Sequence, residues 1–153
     1  MVEVTVIKEV SGALPLTRKE IAYIAQKTLI CAGISRPASF ALVIINTAKI
    51  KRLNRLYRKK NKDTDILSFP LDEYKDKKLK QINLGDIFIN PEYIEKASIK
   101  EGRSKRKHHI ILLIHGILHL VGYDHISEKD FEKMYVKEEK AYSLVKKYLK
   151  LSK

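Results

Sequence analysis

The chain has 153 residues, 44% of them apolar and 32% charged, with six Gly and four Pro, which excludes a disordered, collagen-like or linker protein and predicts one packed domain over 1–153. No apolar run approaches the ~20 residues of a membrane-spanning helix, so no membrane role is expected. The start, Met1-Val2-Glu3-Val4, lacks the basic head and apolar block of an export signal, and a lone Cys31 closes no internal disulfide, so a reducing cytoplasm is expected. Subtracting 18 acidic from 31 basic residues gives +13, a balance that favours a polyanion such as nucleic acid, with a Lys-rich solvated surface as the alternative.

In chain order, Val2, Val4 and Val6 alternate like a half-buried strand. Thr17 and Glu20 then form a capping box, Leu16 and Ile21 stand at staple positions, and the stripe Ile21, Ile24, Ala25, Thr28, Leu29 predicts a helix ended by Gly33. Phe40 to Ile45 is a continuous strand-length run, which predicts a strand covered on both faces. Thr47 is placed to cap a basic helix with Ile50, Leu53, Leu56 and Tyr57 on its apolar side. Eight basic residues and no acidic one lie between Lys49 and Lys62. Asp65 to Leu71 and Gly85 to Asn90 read as strands, with a Lys-rich excursion from Glu73 to Lys80 expected to be a mobile loop.

Asn90-Pro91 opens a short helix, and Ser104 to Val121 reads as a helix apolar nearly all round, which places it in the middle of the fold. Ser127 and Asp130 cap a last amphipathic helix carrying Phe131, Met134, Tyr135, Tyr142, Val145 and Leu149. Strands mixed with helices of unequal spacing predict an α+β fold with a mixed sheet packed against helices.

All five histidines fall between His108 and His125. His115 and His119 are four apart, so both imidazoles project from one helix face toward a common point, and Gly122 lets the chain turn back to deliver His125. Three histidines leave one tetrahedral position open, the ligand set of a catalytic zinc, though nickel, cobalt or iron also accept three imidazoles. His108 shares the face of His115 and is a candidate to line the approach, whereas His109 is expected in solvent. The spacing HxxxHxxGxxH also occurs in metzincin proteases, which predicts a zincin-like site on a buried central helix and the following loop. Metzincins carry a glutamate after the first histidine; Gly116 stands there here, so a different chemistry is expected.

The string from His115 to His125, HGILHLVGYDH, resembles the signature of the YbeY family of metal-dependent endoribonucleases that act in ribosomal RNA maturation. Leu53-Asn54-Arg55-Leu56-Tyr57-Arg58, with Thr64 to Pro70, is similar to a second block of that family, and Leu84-Gly85-Asp86-Ile87 to a third. Lys59, Asn61 and Asp63 depart from the glycine, aspartate and proline the family often has there. The resemblance implies one zinc ion held by His115, His119 and His125, Arg58 as the basic residue of catalysis, and ribosomal RNA and the small subunit as partners. From the residues alone, Arg58 can hold a phosphodiester by two parallel hydrogen bonds or be an ordinary surface arginine. Asp65 and Asp86 are read as turn or orienting residues, Ser68 to Pro70 as shaping the strand end beside the site, and Tyr123 and Asp124 as positioning His125. A peptide or amide hydrolase and a non-enzymatic ribosome-associated binding module are the rival readings.

Overall fold

The computed structural model describes residues 1–150. It is an α+β arrangement of four strands and five helices: β1 Val2–Lys8, α1 Arg18–Cys31, β2 Ala38–Ile44, α2 Thr47–Arg58, β3 Ile66–Pro70, β4 Ile82–Ile89, α3 Pro91–Lys100, α4 Lys105–Leu120 and α5 Glu128–Tyr148. The sheet order is β1-β2-β4-β3, with β1, β2 and β4 parallel and β3 antiparallel to β4. The sheet is therefore mixed, and β3 is one of its edges.

The main core joins one sheet face to α1, α3, α4 and α5 through Ile21, Phe40, Leu42, Ile87, Ile94, Ile114 and Val145 among others. The opposite face carries a smaller cluster, Val43, Ile45, Ile50 and Leu67, covered by α2. β2 contributes Phe40, Leu42 and Ile44 to one cluster and Val43 to the other, so it is covered on both sides as its unbroken apolar run requires.

Caps decide the helix boundaries. Thr17 accepts from Glu20 N–H while Glu20 accepts from Thr17 N–H, and the same Glu20 carboxylate takes two bonds from Arg106, tying the start of α1 to α4. Ser104 and Ser127 cap α4 and α5 in the same way. The cap of α2 is Asn46, whose Oδ1 accepts from Lys49 N–H, and not Thr47, whose hydroxyl is turned to Asn90 and Glu92.

Four further expectations are corrected. β4 begins at Ile82, three residues before Gly85, because a register shift against β2 interrupts the alternation. Leu56 and Tyr57 are 60% and 64% exposed, since the outer sheet face has room only for Ile50 and Leu53, and buried Asn54 replaces them by donating to Lys62 O. Phe131 and Tyr135 also lie in solvent, stacked on each other, while Met134, Ala141 and Val145 meet the core. The excursion after β3 opens with a 3₁₀ turn over Glu73–Lys75, and Arg36 binds the carbonyls of Tyr74, Asp76 and Leu79, so the segment is anchored to the body.

Candidate metal centre

The centre is built by the end of α4. His115 and His119 occupy one face of its last two turns, and the helix then stops in a Schellman turn: Gly122 N–H donates to His119 O and Tyr123 N–H to Leu118 O. Gly122 has φ 95°, which a side chain would strain, and Tyr74 fills the space where its β-carbon would stand. The reversal returns the chain so that one ligand atom from each of His115, His119 and His125 lies within 4.8 Å of the others.

The outer nitrogens fix the inner ones. His119 Nδ1 lies 2.8 Å from Tyr123 O, a pure acceptor, so Nδ1 carries the proton and Nε2 presents a lone pair inward. His115 Nδ1 faces Glu138 Oε1 at 3.4 Å with the same consequence. The two Nε2 atoms then meet at 2.9 Å. Facing lone pairs repel unless a cation or proton lies between them, and burial, reinforced by the His115 imidazole, lowers the His119 pKa to about 4, which removes the proton near neutrality. Three convergent imidazoles, two of them oriented from behind by a carbonyl and a carboxylate, fit a divalent transition metal.

Gly116 carries α4 onto the sheet. A β-carbon there would stand 2.7 Å from Ile66 Cδ1 and 3.2 Å from Ser68 Oγ. Ser68 Oγ donates to Gly116 O at 3.0 Å, and Ser68 O accepts from Arg58 at 2.6 Å, so Arg58 is two hydrogen-bonded links from the residue beside His115. The guanidinium also lies 5.4 Å over the Phe69 ring. Arg58 is thus set on the edge strand next to the histidine-bearing helix, without direct contact to the three rings.

Other expected residues fall outside the cluster. His109 is buried, 2% exposed, with Nδ1 donating to Lys105 O, and not in solvent; burial lowers its pKa. His108 is buried too and does not join the three ligands. Asp65 accepts from Thr64 Oγ1 and Asp86 is exposed on β4, so neither orients a histidine. Tyr123 O accepts from His119 Nδ1, and Asp124 Oδ1 accepts from Ile126 N–H in a turn that brackets His125. Glu138 is the contact that sequence reasoning missed; it lies on another helix, 23 residues from His115, and no local spacing connects them.

The family profile described as Endoribonuclease YbeY matches residues 8–146. An Endoribonuclease YbeY of Persephonella marina is 36% identical over 138 residues, 90% of this chain and 89% of that protein. That of Pelagibacter ubique is 40% identical over 116 residues, 74% and 73% of the two chains. The solution structure of a Thermotoga maritima protein, 24% identical, matches with a TM-score of 0.56 and covers 95% of this chain and 93% of its own, which shows a shared fold. The profile spans the stretch that contains the histidine turn, Arg58 and the edge strand, both relatives carry the same name, and by that agreement the chain belongs to the endoribonuclease YbeY family.

Proposed function

We propose that this chain is a zinc-dependent endoribonuclease, one domain over 1–153, that cuts single-stranded RNA during ribosomal RNA processing in the cytoplasm, in contact with the ribosomal small subunit. Residues 151–153 lie outside the described residues. The observation that carries the reading is the convergence of three inward imidazole nitrogens at the end of α4. Membership of an endoribonuclease family supports RNA as substrate, and the motif blocks that resemble YbeY support the ribosomal role. The charge of +13 and the acid-free run Lys49 to Lys62 support a polyanionic ligand.

His115, His119 and His125 would hold a divalent ion, which would supply Lewis acidity at this point of the fold. His119 and His115 keep their protons on Nδ1, against Tyr123 O and Glu138, so that both Nε2 atoms stay available as ligands. Arg58 spends one N–H on Ser68 O, which fixes the guanidinium, and presents its other donors to a non-bridging phosphate oxygen as charge develops there. The RNA brings its own nucleophile: its 2′-hydroxyl oxygen bonds to phosphorus as its proton passes to solvent water, while the bond to the 5′-oxygen breaks and that oxygen takes a proton from solvent, leaving a 2′,3′-cyclic phosphate and a 5′-hydroxyl.

The same geometry argues against a peptidase. Position 116 is a glycine that offers no carboxylate beside the first histidine, a β-carbon there would crowd the Ile66 side-chain tip and Ser68 Oγ, and Arg58 already covers a carbonyl of edge strand β3 to which an extended peptide would add. The test is to incubate metal-loaded protein with labelled ribosomal RNA and with casein, using His115→Ala as control for contaminating nucleases. RNA cleavage by the wild type alone is expected. Equal cleavage by the mutant, or hydrolysis of casein only, contradicts the reading.

A further inference from the structure

We infer that Tyr57, backed by Phe69 and Phe88, is a stacking site for one unpaired nucleobase of the strand whose phosphate Arg58 holds. The inference rests on the endoribonuclease reading and adds where the strand lies beside the metal centre. Tyr57 is 64% exposed although it stands on a helix turn that faces the sheet. Its ring meets Phe69 edge-on, centroids 5.3 Å apart at 73°, and Phe69 meets Phe88 at 5.6 Å and 82°. The three rings form a ledge at the β3 edge of the outer sheet face, with Tyr57 outermost. Packing against Phe69 holds the Tyr57 ring in place, so little freedom remains to be lost when a flat ligand settles on it.

Charge selects the occupant. Arg58 follows Tyr57 directly and lies over Phe69, so a base on the ring and a phosphate on the guanidinium can belong to neighbouring parts of one strand. Around them the segment from Lys49 to Lys62 has no acidic residue, and of its eight cations Lys49 is bonded by Glu9 while Lys51, Arg52, Arg55, Lys59, Lys60 and Lys62 form no ion pair among the described residues. A protein partner would have to desolvate these cations or match them with acids, whereas a single-stranded nucleic acid brings a phosphate for the cations and a π-face for the ring. Every base offers that face, so the site reads strand state and not sequence.

The test uses the metal-loaded full chain and a fluorescent RNA oligonucleotide carrying 2′-O-methyl groups throughout, so that it binds without being cut, in a series with one abasic position moved along the strand. Tyr57→Ala is expected to weaken binding of the intact strand about 5-fold to 150-fold, Tyr57→Phe to retain it, and one abasic position to cause the same loss in the wild type and no additional loss in Tyr57→Ala. Binding of the intact strand within 2-fold of wild type, or abasic losses that combine independently with the mutation at every position, overturns the stacking site. A change in self-association on sedimentation with RNA binding intact also overturns it, and makes the ledge a contact between copies. Failure of the wild type to bind or cut RNA removes this inference and the nuclease reading together, whereas a cleaving wild type with a neutral Tyr57→Ala removes only the stacking site.

Discussion

Lys59 has φ 57°, the left-handed backbone region, at the end of α2, where its N–H and that of Lys60 both donate to Asn54 O. A β-carbon disfavours that conformation. Lys59→Gly is therefore expected to stabilise the fold by about 0.5–1 kcal/mol, read as a higher denaturant midpoint, and a lower midpoint contradicts it. The turn matters because it follows Arg58, whose guanidinium is aimed by Ser68 O and Phe69. Arg58→Lys keeps the charge but loses the planar fork, and single-turnover cleavage should fall on the order of 100-fold with a smaller loss of binding. Equal losses in both would make Arg58 an affinity contact only.

Elements whose determinants are local were legible in the sequence. The capping box of α1, the Ser127 cap of α5 and the Gly122 stop all follow from neighbours within five residues. Reading failed where a distant surface decides. Leu56 and Tyr57 fit the helical period, but the outer sheet face buries Ile50 and Leu53 and leaves Leu56 in solvent and Tyr57 at its rim against Phe69. His109 lies among polar and basic neighbours in sequence, yet the first turns of α4 are already inside. The three-histidine cluster was visible because four-residue helical spacing and a glycine turn act within eleven residues; Glu138 was not, because α5 must first dock. Gly85 shows the same division: its residue type was plain, its reason is tertiary. At φ 117° it brings β4 so close to the Phe69 carbonyl that a β-carbon would collide with backbone. Gly85→Ala should destabilise by about 2 kcal/mol or more, measured by thermal unfolding, and a neutral result would mean that the edge strand can move away.

At the scale of the whole molecule, charge and protonation set the conditions of stability and binding. His109 is neutral and buried, with its pKa held below the usual 6.5, so the unfolded chain takes up its proton first as the solution is acidified. Its contribution to stability is complete above about pH 6.5 and is lost as pH falls from there toward the lowered folded value. Wild type and His109→Gln, compared at equal metal loading, should differ in slope across that window, the mutant being flatter; parallel slopes contradict the burial argument. The unpaired cations of α2 should act additively on RNA: replacing Arg52 or Arg55 by Gln is expected to reduce the slope of log affinity against log salt by about 0.7 for each phosphate that is no longer neutralised. No change in slope would place the strand elsewhere on the surface.

The proposed RNA chemistry depends on a metal at the three histidines that close α4, and the proposed stacking site stands on the same reading, so metal content is the direct test. Elemental analysis of purified protein should find about one divalent ion per chain, and His119→Ala, checked by circular dichroism to be folded, should lose most of it because two remaining imidazoles bind weakly. A folded His119→Ala that retains the wild-type metal content contradicts the three-histidine centre.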